Sequence, residues 1–530
     1  MKKVNLLVGL SVATLQAFVA FAAIEVNVPN KTGDLADDAW LDSAGGTNIY
    51  HGTDTDWHLN TAGASYTVGD DLQFLSLTWS KSATIDLTGE TLRTVKLGGT
   101  GSDLGIFPGH NRASSDPVNN TCGTLHIRGG LWDLGGWGLR SVKGYNRGRP
   151  ATLLVSDGAV ITNAEYVQVA YQSESSCMRI TGGSKVFVKS AGTRFRDGVC
   201  TKSLFEVSGG SYFEYGSGAN NLYVDNKLDS HHNTNYITGV GTVFTNGNDK
   251  AEVFDSRDDL TWIADGAKAY FCGPYFCYQN NSNNEFRVSG TNTYLHVRST
   301  WYASYQGSCH HNLVSILDGA SCWVGNLITM NGSDNEFCVS NAAVSCVRVS
   351  LDGGTSVRSV LRIHGDSEAT VVTCRNSGTS GVAAMFEAKL DSVAATEGNG
   401  ARLVLAGRYP RLEAPNGTTV YFRNYTTIRF EMPIDGFADR APVASKSWSS
   451  DETTQFEFAG VEEHRKTLTK KTTYTLFETI DDATKTPFNA NELARMQAAL
   501  PNQDRCRVYK QNGKVLLELK PDTGLTLIIR

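Results

Sequence analysis

Two segments thirty residues apart carry the residue types of an acid–base or cation site: Val224-Asp225-Asn226-Lys227-Leu228-Asp229 and Phe254-Asp255-Ser256-Arg257-Asp258-Asp259. Both read apolar-Asp-x-basic-x-Asp. Stacked on one another they would bring Asp225 near Asp255 and Asp229 near Asp259, with Lys227 and Arg257 alongside. A pair of carboxylates hydrolyses glycosides, and clustered carboxylates hold Ca²⁺. A lyase would add a basic residue to such a set to abstract a proton. The plainer account is a surface ladder of mixed charge, which contributes little to stability. That account is the one expected here, and Asp225, Lys227, Asp229, Asp255, Arg257 and Asp259 stand as the catalytic alternative.

The second candidate is aromatic. Tyr275, Phe276 and Tyr278 follow Tyr270-Phe271, and Trp301, Tyr302 and Tyr305 come about one repeat later. Neighbouring residues on a strand point to opposite faces, so some of these rings must reach solvent. Exposed rings hold sugars by apolar stacking with polar partners at the rim. Tyr275, Phe276, Tyr278, Trp301, Tyr302 and Tyr305 are therefore the expected ligand-binding set, and Phe276 is expected to stack on Trp301. The histidine pairs His231-His232 and His310-His311 read as turn residues. No metal or cofactor is expected. Asp255–Asp259 lacks EF-hand spacing, no CxxC pair occurs, and there is neither a phosphate-binding glycine loop nor a nucleophile elbow.

These residues need elements to position them, and the chain announces those elements by repetition. A phrase of the form aliphatic-x-small-Gly recurs through the middle of the sequence. It appears at Leu154–Gly158, Arg179–Gly183, Glu206–Gly210, Ile263–Gly266 and Ile316–Gly319. Successive phrases from residue 130 to residue 366 are separated by 28, 25, 27, 31, 25, 25, 28, 23 and 24 residues, a mean of 26.2 (236/9). Each is followed by alternating apolar residues, as in Lys185–Val188 and Ser321–Val324, the mark of a strand with one buried face. No helical pattern separates the phrases, which excludes βαβ units and leucine-rich repeats. Three short strands and three corners per repeat make one coil of a parallel β-helix. The expected fold is therefore all-β, a single-stranded right-handed parallel β-helix (β-solenoid) with a small C-terminal α+β or β module. Seven residues before three of the phrase ends lie Asn284, Asn312 and Asn335, read as an internal amide ladder.

The phrases Asn284-Glu-Phe-Arg-Val-Ser-Gly290 and Asn335-Glu-Phe-Cys-Val-Ser-Asn341 resemble the repeats of bacterial exported parallel β-helix proteins, including autotransporter passenger domains and related surface adhesins. The resemblance spans roughly residues 85–430 and implies surface adhesion or an extracellular scaffold. The same fold also carries polysaccharide lyases and glycoside hydrolases. The chain departs from autotransporters after residue 430, where some 100 residues are too few for a large closed membrane barrel.

Composition agrees with export and surface work. The 530 residues hold 53 glycines and only 12 prolines, and the net charge of −6 gives no general attraction to nucleic acid. Met1-Lys2-Lys3, an apolar run from Val4 to Phe21 and the Ala20-Phe21-Ala22 exit form a secretory signal peptide, residues 1–22. No membrane span is expected in the mature chain, and a secreted or cell-surface bacterial location follows. Partners are expected to be polysaccharide or cell-surface glycan. Residues 23–85 read as an N-terminal cap, 86–430 as the solenoid and 431–530 as a C-terminal cap or attachment module. Within the last, Asn489–Leu500 reads as a helix capped by Asn489 or Asn491. Thr473–Thr479, Arg505–Tyr509, Lys514–Leu519 and Leu525–Ile529 read as strands, with a turn at Gln511-Asn512-Gly513. The eleven cysteines are expected to be mostly buried thiols.

Overall fold

The computed structural model describes residues 24–522 apart from 29–31, 36–54, 60–61, 95–105, 109–122, 142–150, 190–194, 217–221, 247–251, 279–281, 306–307, 354–356, 376–386, 391–394 and a few isolated positions. The signal peptide, Cys122 and the strand expected at Leu525–Ile529 lie outside the described residues.

The molecule is a parallel β-solenoid. One face is a 16-stranded parallel sheet running from Thr32–Asp34 to Gln455–Ala459, so coils extend beyond residues 86 and 430 on both sides. Each coil contributes a strand to this first face, turns a corner into a second face, then into a third. Thr152–Ser156, Val160–Ala164 and Val167–Gln168 form one such set. The register follows the sequence period closely. Leu125 pairs with Leu153, then Met178, Phe205, Asn235, Thr261, Phe286, Val314, Phe337 and Leu361. These nine steps cover residues 125–361, about 26 residues each.

The aliphatic residue of each phrase fills the core. Ile127, Val155, Ile180, Val207, Ile237 and Ile263 stand in one row, all at most 2 % exposed. β-Branched side chains suit a pleated surface, and burying each is worth about 1.5–3 kcal/mol. The Asp-Gly that follows makes the corner. Asp265 and Gly266 take φ of 52° and 83°, and the Ala267 N–H donates to the Ala264 carbonyl at 3.0 Å. Gly266 also meets Val240 of the preceding coil, where an added Cβ would lie 3.0 Å from Val240 Cγ2.

The corner before the first face carries the amide ladder. The Asn284 backbone N–H donates to Asn312 Oδ1 at 3.0 Å, and the Asn312 N–H donates to Asn335 Oδ1 at 3.0 Å. The amide nitrogens repeat the contact at 3.3 and 3.1 Å. All three side chains are at most 3 % exposed. The ladder satisfies inward-facing backbone donors that the sheets do not reach at a corner.

At the C-terminus the parallel stacking stops. Thr472–Thr479 pairs in parallel with Val443–Ser450 on one side but antiparallel with Lys514–Leu519 on the other. That strand forms a hairpin with Cys506–Gln511 through a turn at Asn512-Gly513, φ 50° and 71°. Helix α1 (Val461–Thr467) was not expected. Its pattern is short and its N-cap is Gly460 rather than a side-chain cap. Helix α2 (Ala490–Ala498) begins at Asn489, whose side chain accepts from Asn491 and Glu492 in a capping box. It packs against the last strand of the first face, covering an edge that would otherwise pair with another chain. Ten described cysteines are free thiols and eight of them are buried. No helix among the described residues is long and apolar enough to cross a membrane.

Asn312→Ala removes the acceptor of a buried backbone N–H and one rung of the ladder. Unfolding in urea is expected to show a loss of about 2–3 kcal/mol. A loss under about 0.5 kcal/mol, the range of ordinary surface substitutions, would mean the ladder carries no weight.

Candidate functional site

The third face holds the ring cluster. Strands Tyr275–Phe276 and Trp301–Ser304 alternate inward and outward, as the pleat requires. The register sets Tyr275 opposite Tyr302, and their rings stack at 4.4 Å and 12°. Tyr278 and Tyr305 repeat the pairing just past the strands, at 5.1 Å and 6°. The two stacks meet edge to face, with Tyr275 and Tyr305 at 4.8 Å and Tyr302 and Tyr305 at 5.0 Å. All four tyrosines are partly exposed. Burial, and next the neighbouring Tyr302 and Tyr305, push the Tyr275 hydroxyl up to about 12, so it stays a neutral donor. The next coil supplies a polar rim. Thr329 stands opposite Tyr302, and the Asn331 amide donates to the Tyr305 carbonyl at 2.8 Å.

Phe276 and Trp301 do not belong to this surface. They are 2 % and 0 % exposed and both pack on Phe286, at 5.5 and 5.1 Å. Nor do they stack on each other. The Tyr275–Tyr302 register shifts the count by two residues from the one that the repeat phrases suggest. The corner between the second and third faces varies in length, so counting from a phrase on the first face loses the register there.

The acidic segments also depart from simple stacking. Asp225 pairs with Phe254, Asn226 with Asp255 and His231 with Arg257, with irregularities before and after Asn226. The coil is 30 residues long on the first face there, and the excess is taken up within Leu222–His231. The side chains of Asp225, Lys227 and Asp229 are outside the described residues. Asp255 is partly exposed and Arg257 exposed.

Asp259 faces inward, at 7 % exposure, as a rung of the amide ladder. Its carboxylate accepts the Asn233 backbone N–H at 2.7 Å and the Asn233 amide at 3.2 Å, while its own N–H donates to Asn284 Oδ1 at 3.0 Å. Burial raises its proton affinity, and the buried Arg196 guanidinium opposes that rise. Arg196 is 0 % exposed and donates to Asn235 Oδ1 at 2.9 Å and to the carbonyls of Ser203 and Thr234. A carboxylate tied into the interior in this way is withdrawn from any substrate on the surface.

No family model, curated protein or solved structure matches the chain.

The interior holds a second carboxylate that sequence reasoning missed. Glu252 is 0 % exposed and accepts four hydrogen bonds. The Tyr215 hydroxyl, the Asn246 amide at 2.5 Å and the Cys272 N–H at 3.1 Å share Oε1. The Gly273 N–H reaches Oε2 at 3.1 Å. Tyr215 and Asn246 end second-face strands on successive coils, and Cys272-Gly273 form the corner of the next. Glu252 therefore staples three coils at the corner between two faces. Its only trace in the sequence is an acid placed directly before Val253-Phe254, and that trace becomes informative once the register is known. Among the described residues no group of three or more His, Cys, Asp or Glu is arranged to hold a metal ion.

Burial raises the folded-state pKa of Glu252 despite its four donors. An acid raised on folding adds stability that is fully present below the unfolded value, about 4.3, and lost as pH rises through the folded value. Glu252→Gln lacks this titration. The stability advantage of wild type over Glu252→Gln should thus shrink from pH 4 upward, by up to about 1.4 kcal/mol per pH unit. Parallel pH–stability curves for the two proteins would contradict this assignment.

Proposed function

We propose that the chain is an exported, non-catalytic β-solenoid that acts in surface adhesion or as an extracellular scaffold and holds a glycan on its third face. The observation that carries this reading is the tyrosine cluster Tyr275, Tyr278, Tyr302 and Tyr305. Its paired, half-exposed rings lie at fixed spacing with a polar rim. Such a surface suits sugar rings, whose apolar faces stack while their hydroxyls seek polar partners. The resemblance of Asn284–Gly290 and Asn335–Asn341 to bacterial exported β-helix repeats supports the surface role. The inward position of Asp259 speaks against the carboxylate set that a glycosidase or lyase would use. Phe276 and Trp301 take no part in contacting ligand.

Incubation of the protein without residues 1–22 with a polysaccharide panel, scoring binding and cleavage together, tests the proposal. Binding without cleavage is expected. Tyr302→Ala should weaken it by about tenfold with the fold intact. Trp301→Ala should instead lower stability by about 3–5 kcal/mol. Cleavage of any polymer in the panel would overturn the non-catalytic reading. Binding unaffected by Tyr302→Ala would overturn the site.

A further inference from the structure

The second face carries another row of outward rings, at a different place on the surface. Tyr270 pairs with His296, and His296 with Trp323, one coil apart each time. The Tyr270 and His296 rings are 5.8 Å apart and those of His296 and Trp323 are 4.4 Å apart. Tyr294 stands in the adjacent row beside them, opposite Lys268. All four rings are partly exposed, and Lys268 is exposed. Arg375 closes the end of the row. Its guanidinium carbon lies 4.3 Å from the Trp323 ring centre, and its nitrogens donate to Ser345 Oγ at 3.0 Å and to the Val324 carbonyl at 2.6 Å.

The charge around this row has one sign. Burial lowers the His296 proton affinity, and the two charges acting on the ring, Arg298 and Arg375, lower it further. With Lys268 they make a basic aromatic surface on a chain whose net charge is −6. A planar guanidinium stacked on an indole is held ready to take an anionic oxygen group in fork geometry. The coil spacing of about 4.8 Å is of the same order as the rise of an extended pyranose chain per sugar.

We propose that this face binds a linear anionic polysaccharide laid along the solenoid axis, with sugar rings on Tyr270, His296 and Trp323 and acid groups on Lys268 and Arg375. The site is separate from the tyrosine cluster of the third face. Its occupant is defined by charge as well as by sugar, so the two readings stand or fall separately.

The test uses dextran sulfate and unmodified dextran of equal length, with polygalacturonate to separate sulfate from carboxylate recognition and polyphosphate as a charged polymer without sugar rings. Titration calorimetry should show binding of dextran sulfate or polygalacturonate but not of dextran. Trp323→Ala and Arg375→Gln should each weaken it at least tenfold, whereas Tyr302→Ala should leave it unchanged. Lys268→Gln, at an exposed position, should weaken it several-fold with the melting temperature unaltered, which keeps the test sound if Trp323→Ala does not fold. Equal affinity for dextran and dextran sulfate would overturn the proposal. So would no binding of either anionic glycan, or polyphosphate binding as tightly and with no sensitivity to Trp323→Ala. Loss of dextran sulfate binding in Tyr302→Ala would also overturn it, by placing the ligand on the third face.

Discussion

Parallel pairing between coils sets each residue directly beside its counterpart one coil away, and the remaining features of this protein depend on that constraint. Antiparallel pairing would need only short hairpin turns. Parallel pairing obliges the chain to travel around a full coil before it meets itself. Once it does, like meets like. Ile263 lies between Ile237 and Val288, and Phe337 between Val314 and Leu361. The core is thus a set of columns, and stability is built mainly from contacts between neighbouring coils. A slip of one residue along any strand would turn its whole buried set outward.

Polar groups inside the solenoid sharpen that register. An amide at the corner works only when its acceptor oxygen faces the backbone N–H of the neighbouring coil, as Asn312 does for Asn284. Asp259 occupies the same position in an otherwise amide ladder, in a core region made polar by Arg196, Asn235 and Thr261. Such a group is costly to bury unless each of its bonds is made. Glu252 meets that condition with four donors drawn from three coils. These interior acids are positional devices, and they explain why the acidic segments do not gather on the surface.

The outer faces are flat and repeat at the coil spacing, so they offer arrays rather than clefts. Rings one coil apart stack when they share a row, and the same rule applies to charge. Arg429 bridges Glu431 on its own strand and Glu457 on the next coil. A long polymer running along the axis is the kind of partner such arrays suit, because each coil adds one more equivalent contact.

How much of this was legible beforehand depends on which element is considered. Spacing and alternation were enough for the parallel coil and its period, for the aliphatic columns, for the ladder at Asn284, Asn312 and Asn335, and for the capped helix after Asn489. All of these rest on local patterns of two to seven residues that every coil repeats. Alternation alone also implied that some rings of the 275–305 region reach solvent. It could not say which, because the register on the third face depends on corner lengths that vary from coil to coil. Only the tertiary structure decided that Tyr275 meets Tyr302 while Trp301 is buried, that Asp259 is a ladder rung, and that Arg196 and Glu252 lie inside. The physical reason is that the direction a side chain takes is set by its own strand, whereas its neighbours are set by a strand about 26 residues away.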